Sequence, residues 1–419
     1  MVREFTDYTS LDSALDVLRR NVRPTSRREY VPLGLSFGRV LWGDVLSSHD
    51  VPLRDSSHMD GFAVRSADLV GASPTSPVRL RWVKGSALGV IPRVPVRKGE
   101  AHTVLTGGFV PTGADAVLRA ETVKVSRGKV EVTTPAERGE EIYPRGRDVR
   151  KGEKVLDAGR VVRGSDQTLL GSLHVDRVAV HSKPRVAVIP TGNELSERIR
   201  GTEQGKVAES HSFLFSRLIE GAGGLPVRMP IARDDPQEIS RVIGAGLKVA
   251  DMVLTIAGSS VSEKDVTEVA VDGTGKPGML VHGMKVHRGR VMGFGAVEGK
   301  AVVILPGSIQ GGVNAYILMA YPVIRVFLGR GFESPPSIPA VMGNDWEAVK
   351  RYRDFSKIVY VRTKTDGDAV IADSLVAETE KMTLLTKSDG YLLVGESVST
   401  LHMGDPVRIH LLPGFSSLP

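Results

Sequence analysis

The stretch Arg185-Val-Ala-Val-Ile-Pro190, which runs directly into Thr191-Gly-Asn-Glu-Leu195, decides how this chain folds. A short apolar run rich in β-branched residues and ended by a glycine-containing loop predicts a buried strand. Similar runs recur at Val227–Ala232, Met252–Ile256 and Ala301–Leu305. We therefore expect four buried strands in this part of the chain.

Helical patterns alternate with these strands. One helix is predicted from Ser210 and is ended by the glycines of Gly221–Gly224. Asp235-Pro-Gln-Glu238 combines an N-cap, a proline at the first helical position and a capping-box glutamate, and so predicts a second helix. A third, apolar helix is expected to end near Leu328. Strands alternating with helices predict an open, mostly parallel sheet that is doubly wound, with helices on both faces.

The sequence on either side of this α/β core is rich in β patterns. Between about Val31 and Val180, short alternating runs are separated by glycine and proline. After a linker that starts at Gly329, alternation returns over Lys357–Arg362 and Asp405–Leu412, which suits a small barrel or sandwich. A helix capped by Ser10 is expected upstream. The predicted fold class is multidomain α/β plus β.

Composition excludes several classes of protein. The chain has 419 residues, no cysteine and a net charge of +7. A disulfide framework, a thiolate nucleophile, an iron–sulfur cluster and a cysteine-built zinc site are therefore excluded. The start lacks a signal-peptide pattern, and the apolar run Ala315–Leu328 is too short to span a membrane, so we expect a cytoplasmic protein without a membrane partner. The positive charge favours anionic ligands, but only 5% of residues are aromatic and no basic stripe indicates nucleic acid.

Small and acidic residues are concentrated in four loops that follow the predicted strands. Ligands of a doubly wound sheet bind at the carboxyl ends of its strands. Small residues let backbone N–H groups approach phosphate, and carboxylates can hold a divalent cation. For any one loop alone, a glycine turn with an Asp or Ser helix cap is the better explanation, whereas four such loops at one edge favour a phosphate-bearing ligand. The residues are Thr191, Asn193, Glu194, Asp234, Asp235, Gly258, Ser259, Ser260, Glu263, Asp265, Gly307 and Ser308.

Two unusual segments lie upstream of this core. Ser56-Ser-His-Met-Asp-Gly-Phe-Ala-Val64 places Asp60 and a glycine inside an apolar, strand-like run. Thr106-Gly-Gly-Phe-Val-Pro-Thr-Gly-Ala-Asp-Ala-Val117 is a long loop that enters another strand. Taken alone, Asp60 is as consistent with the cap of a turn as with a binding residue.

Together these segments give a resemblance to the molybdopterin molybdenumtransferase family, called MoeA in bacteria and archaea and the E domain of gephyrin in animals. His58–Val64 is similar to the family segment AMDGYAV, and Thr106–Val117 is similar to its TG…PxGADAV loop. Thr191–Leu195 is similar to TGDEL, Ala257–Asp265 to GGVSVGxxD, and Leu305–Ile309 is a weaker copy of LPGNP. The resemblance extends over nearly the whole chain.

The resemblance implies a four-domain subunit that forms a homodimer. Residues 1–50 with 140–183 would form an elongated dimerisation region, and 51–139 a β-rich domain. Residues 184–330 would form an α/β molybdopterin-binding-like domain, and 335–419 a C-terminal β-barrel-like domain. The family's site lies in a cleft between the third domain of one subunit and parts of the other.

The implied reaction inserts molybdate, or tungstate, into adenylated molybdopterin and releases AMP with the help of Mg²⁺. Asp60, Glu194 and Asp265 would be catalytic, and Glu194 and Asp265 would also bind the metal. The implied substrate-binding residues are Thr106, Gly107, Asp234, Gly258, Ser260, His287, Arg290, Ser308, Thr379 and Arg353, with Arg351 as the alternative to Arg353.

The segment His287–Val291 departs from the family's KPGKP loop, because one lysine becomes His287, the other becomes Arg290 and both prolines are lost. If His287 supplies positive charge, activity should rise as the pH falls toward 6. Ser262 and Ser308 also depart from family residues. A non-catalytic paralogue that binds molybdopterin or the finished cofactor is therefore the alternative to the enzyme.

Overall fold

The computed structural model describes residues 8–24, 26–200, 204–257, 266–375 and 381–411. The chain forms two compact units, one made of Tyr30–Ala179 and the other of Met1–Glu29 together with Val180–Pro419. No helix within the described ranges is both long and apolar enough to cross a membrane.

The first elements are α1 (Leu11–Asn21) and β1 (Arg28–Pro32). Ser10 caps α1 by accepting a hydrogen bond from the backbone N–H of Ser13, which confirms the predicted N-cap. The unit Tyr30–Ala179 then contains β2 (Val45–Leu46), β3 (Ser56–Ser57), β4 (Gly61–Val64), β5 (Val78–Val83), β6 (Glu100–Val104), β7 (Ala116–Arg119), β8 (Lys124–Ser126), β9 (Lys129–Val132), β10 (Ile142–Tyr143), β11 (Lys154–Leu156) and α2 (Gly164–Ser172).

A six-stranded sheet in this unit positions the two unusual upstream segments. Its strand order is β7-β4-β6-β5-β9-β8. Strand β4 runs antiparallel to β6, with Gly61 opposite Val104. Because the start of β4 therefore lies beside the end of β6, Asp60 and Thr106 become neighbours.

The second unit contains an α/β part and a C-terminal β part. The α/β part comprises β12 (Arg177–His181), β13 (Arg185–Pro190), β14 (Leu195–Ser196), β15 (Val207–Ala208), α3 (His211–Ala222), β16 (Leu225–Arg228), α4 (Pro236–Val249), β17 (Met252–Ile256), α5 (Val266–Thr274), β18 (Pro277–His282), β19 (Gly293–Val297), β20 (Lys300–Leu305), α6 (Ile309–Ala315) and α7 (Tyr321–Phe327).

The central sheet has the order β16-β13-β17-β20-β19-β18. Strands β16, β13, β17 and β20 are parallel, which confirms the mostly parallel sheet. Strands β19 and β18 extend it antiparallel, a feature that the sequence did not predict. The predicted strand Val227–Ala232 is shorter in the structure and begins earlier, at Leu225, so that it ends at Arg228. The N–H of Met229 still donates to the carbonyl of Val188, but the next donor to the neighbouring strand is Ala232, three residues later, so the regular pairing is broken between them.

Two of the predicted helices begin at the expected residues. Ser210 is the N-cap of α3, and Asp235 caps α4 by accepting a 2.8 Å hydrogen bond from the N–H of Glu238. On one face of the sheet, Ala187 and Ile189 pack with residues of α4 and α5. The apolar helix that approaches Leu328 contains a π-helical turn at Tyr316–Ala320 between α6 and α7. Pro322, which follows, lacks the N–H that a regular α-helix needs there.

The C-terminal part is a barrel, one of the two alternatives that the sequence left open. Its elements are β21 (Ser337–Met342), β22 (Trp346–Glu347), β23 (Lys357–Asp366), β24 (Ala369–Ser374), α8 (Met382–Lys387), β25 (Gly390–Val394), β26 (Thr400–Leu401) and β27 (Pro406–His410). The barrel closes in the order β21-β24-β23-β25-β27.

Candidate functional site

Asp60 and Thr106 form one hydrogen-bonded pair at the end of the six-stranded sheet. Oδ1 of Asp60 accepts from the backbone N of Thr106 at 2.7 Å and from its Oγ1 at 2.8 Å. These two bonds lower the pKa of the exposed Asp60 carboxyl, so the carboxylate is ionised at neutral pH. The neighbouring Gly107 has φ of 76°, and its N–H is bound to the carbonyl of Ser57 at 2.8 Å. The pair thus presents a fixed negative charge beside a tight glycine turn.

Strand β4 can pack closely against β7 because Gly61 has no side chain. A Cβ atom built on Gly61 would stand 1.8 Å from the carbonyl oxygen of Leu118. Only glycine fits at this position without moving the strand. Gly61 therefore fixes the position of Asp60, its immediate neighbour.

A charged network next to Asp60 was missed by the sequence analysis. Nδ1 of His58 lies 3.2 Å from Oε2 of Glu141, and Nε of Arg119 donates to Oε1 of Glu141 at 2.8 Å. The guanidinium of Arg119 lowers the pKa of Glu141. His58, Arg119 and Glu141 are far apart in the sequence, so no local pattern predicts that they are in contact. Only His58 lies in a motif that the sequence analysis selected.

In the α/β part, the loop after β13 holds Glu194 at the carboxyl edge of the sheet. Asn193 and Asp234 are bound reciprocally, because the N–H of Asn193 donates to Oδ2 of Asp234 at 3.1 Å and the N–H of Asp234 donates to Oδ1 of Asn193 at 3.3 Å. Asp234 therefore joins two loops. The exposed Glu194 carboxylate folds back over Gly192, whose added Cβ would lie 2.6 Å from Oε1 of Glu194.

Of the two residues predicted to bind Mg²⁺, Glu194 belongs to the described part of the chain. Among the described residues, no group of three histidine or acidic side chains is placed to hold a metal ion. Glu194 offers carboxylate oxygens, the ligand type that Mg²⁺ prefers, at the exposed edge. Asp265, its predicted companion, lies outside the described residues, as do Gly258 and Ser260. The chemistry of these carboxylate donors fits magnesium.

The loops after β17 and β20 meet at the same edge. A Cβ added to Gly307 would lie 3.0 Å from the Cβ of Ala257, so the two loops are in contact. Ser308 is the N-cap residue of α6. Thr379, predicted to belong to the site, lies outside the described residues.

Three predicted residues come together in a cavity of about 180 Å³, here called the arginine pocket. His287, Arg290 and Ser308 all line it, although the serine is separated from the other two in the sequence. The remaining lining residues, which the sequence analysis did not select, are Arg288, Gly289, Val291, Pro306 and Tyr352. Two arginines, a serine and a tyrosine thus line the cavity, and none of the described lining residues is acidic.

Hydrogen bonds from α6 fix the backbone and the side chain of Arg288. This residue has a left-handed backbone with φ of 58°, and its Nη1 donates to Oε1 of the buried Gln310 at 2.6 Å. Its carbonyl accepts from Nδ2 of Asn314 at 3.0 Å, and Asn314 in turn accepts from the buried hydroxyl of Tyr360 at 2.9 Å. A strained backbone held by such buried partners is a common feature of binding sites.

His287 is a neutral, stacked side chain in this pocket. Burial, together with the nearby cations Arg288, Arg290 and Lys357, lowers its pKa from 6.5 to about 4. Its ring stacks on Tyr352, with 4.8 Å between the ring centroids. The imidazole therefore carries no charge between pH 6 and 8, and the sequence-based suggestion that it supplies charge near pH 6 is not supported. The charge of the pocket comes from its two arginines.

Arg351 and Arg353, the two alternatives from the sequence, have different contacts. The guanidinium of Arg353, the residue selected from the sequence, is paired with Glu347 and is not part of the pocket lining. The guanidinium carbon of Arg351 lies 5.8 Å from the ring centre of Tyr352, which does line the pocket. Neither arginine belongs to the pocket lining, so both alternatives stay open.

Two family profiles match consecutive parts of the chain. The family profile described as the MoeA N-terminal region, domains I and II, matches residues 9–173. The profile described as a probable molybdopterin binding domain matches residues 187–325. The two matches include the segments that carry Asp60, Thr106, Glu194, His287 and Ser308.

Relatives and solved structures match along most of their length. A putative molybdopterin biosynthesis protein from Methanocaldococcus jannaschii is 27% identical over 90% of each chain. Molybdopterin molybdenumtransferase 2 from Mycobacterium tuberculosis is 29% identical over 78% of this chain and 82% of its own. The crystal structure of the molybdopterin biosynthesis protein MoeA from Pyrococcus horikoshii aligns with a TM-score of 0.86 and 28% identity, over 97% of this chain and all of the other.

Proposed function

The chain belongs to the MoeA family, and from this premise we propose that it is a molybdopterin molybdenumtransferase of molybdenum cofactor biosynthesis. The reaction inserts molybdate or tungstate into the dithiolene of adenylated molybdopterin and releases AMP. Relatives from several bacteria carry the name of this enzyme and match most of the chain. The thiolates belong to the substrate, so a chain without cysteine is suited to the reaction.

The observation that carries the proposal is the arginine pocket. Molybdate, tungstate and the phosphates of the adenylated pterin are all anions, and guanidinium groups bind such oxygens through paired N–H donors. Arg288 and Arg290 supply this charge, and Ser308 supplies a hydroxyl. Because none of the described residues that line the pocket is acidic, an anion entering it meets no repulsion from them.

We propose that acidic residues, rather than the arginines, hold the metal ion. Glu194 and Asp265 are proposed to hold Mg²⁺, which neutralises phosphate charge and so helps AMP to leave. Asp60 is proposed to act in its ionised form, since Thr106 binds its Oδ1 twice and the described residues place no donor on Oδ2. Thr106 and Gly107 hold this carboxylate at a fixed place.

We further propose that the enzyme works as a cytoplasmic homodimer. The apolar side chains of Leu35 and Phe37 are each 69% exposed in the unit Tyr30–Ala179. Exposed apolar side chains close together are typical of surfaces that another protein covers. A second copy of this chain is the partner that the family resemblance indicates.

The experiment measures AMP release by the purified chain with adenylated molybdopterin and Mg²⁺, using molybdate and tungstate in parallel. We expect release with at least one oxyanion, and loss of release in Asp265→Ala. Arg217→Gln is the matched control, because its side chain is exposed and lies on α3 in a surface ion pair with Glu220. Tight pterin binding without AMP release from either oxyanion would establish the non-catalytic binder instead.

A further inference from the structure

The ring of Tyr352 contacts two other residues of the arginine pocket. Its centroid lies 4.8 Å from that of His287, with 25° between the two ring planes. The guanidinium carbon of Arg290 lies over the same ring, 5.2 Å from its centroid, within the range of about 6 Å in which a cation and an aromatic face attract each other. Tyr352 and Arg290 are both half-buried, so this contact is partly shielded from water.

The two arginines that line the pocket are held in different ways. Nη1 of Arg288 donates to Oε1 of Gln310 at 2.6 Å, which occupies one of its donors. Among the described residues, the guanidinium of Arg290 has neither a hydrogen-bond acceptor nor a carboxylate partner, and its contact is the ring of Tyr352. The face of a ring attracts a cation through its quadrupole and occupies no N–H group. Arg290 is therefore held in place while its donors stay available to an anion.

The ring of Tyr352 is itself fixed by packing. Phe355 meets it edge-on, with ring centroids 5.2 Å apart and 74° between the planes. Phe355 is buried, and its ring in turn contacts that of Tyr8, with centroids 5.2 Å apart. The backbone N–H of His287 donates to the carbonyl of Ser356 at 2.8 Å, which joins this segment to the loop of the pocket. The aromatic ring and the pocket loop therefore keep their relative position.

On the basis of the proposed function, in which the arginine pocket binds the oxyanion, we propose that Tyr352 is a positioning residue for oxyanion binding. Its ring holds the guanidinium of Arg290 at the pocket before molybdate or tungstate arrives. Immobilising a long side chain during binding lowers affinity, and a side chain that is ordered beforehand avoids much of this loss. The hydroxyl of Tyr352 has no part in this role, since the attraction comes from the ring face.

The test compares two variants of the full chain by isothermal titration with sodium molybdate. Tyr352→Leu removes the ring and should weaken molybdate binding by roughly 3- to 30-fold, whereas Tyr352→Phe keeps the ring and should stay within about twofold of the wild type. Phe332→Leu is the matched control, because Phe332 makes the same kind of contact with Arg19, at 5.0 Å, and is not among the described lining residues. It should bind molybdate as the wild type does.

Two further measurements test whether Tyr352 acts through Arg290. In the Arg290→Gln background, Tyr352→Leu should cause no additional loss of molybdate binding, because the group that the ring positions is already absent. NMR relaxation of the chain labelled with ¹⁵N-arginine reports the mobility of Arg290 without any ligand, and Arg290→Gln identifies its Nε–H signal. We expect a rigid guanidinium in the wild type and in Tyr352→Phe, and a mobile one in Tyr352→Leu.

The proposal would be overturned by wild-type affinity in Tyr352→Leu, by additive losses in the double variant, or by an equally rigid Arg290 without the ring. A loss in Tyr352→Phe as large as that in Tyr352→Leu would also overturn it, because the hydroxyl would then be the binding group. The same holds if the wild type binds no molybdate. Failure of the proposed function is seen separately, as absence of AMP release by the wild type, since neither the titration nor the relaxation measurement uses the pterin.

Discussion

Lowering the pH from 8 to 6 should not charge His287. The imidazole lies among Arg288, Arg290 and Lys357, and burial adds to their effect, so that its pKa falls from 6.5 to about 4. With a pKa of about 4, roughly 1% of the rings are protonated at pH 6, whereas an ordinary histidine would be about 76% protonated there.

The lowered pKa of His287 also makes the free energy of unfolding depend on pH. Because the folded-state pKa lies below the unfolded value, the neutral ring stabilises the fold fully above pH 6.5, and this contribution is lost as the pH falls toward 4. Integrated over the window, the loss is at most on the order of 3 kcal/mol, less the share that solvent removes at a partly exposed ring. The free energy of unfolding should therefore fall more steeply below pH 6 in the wild type than in His287→Gln.

The assay is an NMR titration of the chain labelled at histidine, with His287→Gln identifying the signal among ten histidines. We expect the signal of His287 to stay constant from pH 8 to 6. Arg290→Gln removes one of the nearby cations and should therefore raise the pKa of His287. A midpoint near 6.5 in the wild type would refute this description of the pocket, and no change in Arg290→Gln would refute the role given to that cation.

Two further predictions concern stability. Gly61→Ala places a Cβ 1.8 Å from the carbonyl oxygen of Leu118, so it should lower the free energy of unfolding by about 1–3 kcal/mol or more in urea titrations, while Gly164→Ala should change it by less than about 0.5 kcal/mol. Lys357→Met leaves four backbone carbonyl oxygens, each 2.6–3.3 Å from Nζ, without their donor and should cost about 3 kcal/mol or more, whereas Lys364→Met, at an exposed ion pair, should cost less than about 1 kcal/mol. Equal stability within either pair of variants would contradict the corresponding explanation.

Local signals explain why much of the α/β core could be predicted. Strands β17 and β20 are continuous apolar runs, and α4 begins with a capping aspartate followed by proline. Strands β18 and β19 were missed because they contain glycines, which weaken a strand pattern. These glycines serve the packing instead, since a Cβ on Gly295 would lie 2.5 Å from the carbonyl oxygen of Gly278.

The residues of the arginine pocket also divide into those that a sequence motif predicts and those that it does not. His287, Arg290 and Ser308 could be selected because they occupy positions of a motif, even where the motif is altered. Tyr352 could not, because it reaches the pocket from a short 3₁₀ turn far along the chain and contacts His287 only after packing. The ion pair of Arg353 with Glu347 is likewise a contact that no local pattern predicts.

The most direct test of the arginine pocket as the oxyanion site is the molybdate dependence of AMP release in Arg290→Gln. A charge-assisted hydrogen bond contributes about 1.5–3 kcal/mol, so the KM for molybdate should rise by roughly 10- to 150-fold while pterin binding persists. Arg217→Gln, on the exposed face of α3, should keep the wild-type KM. An unchanged KM for molybdate in Arg290→Gln would contradict the assignment.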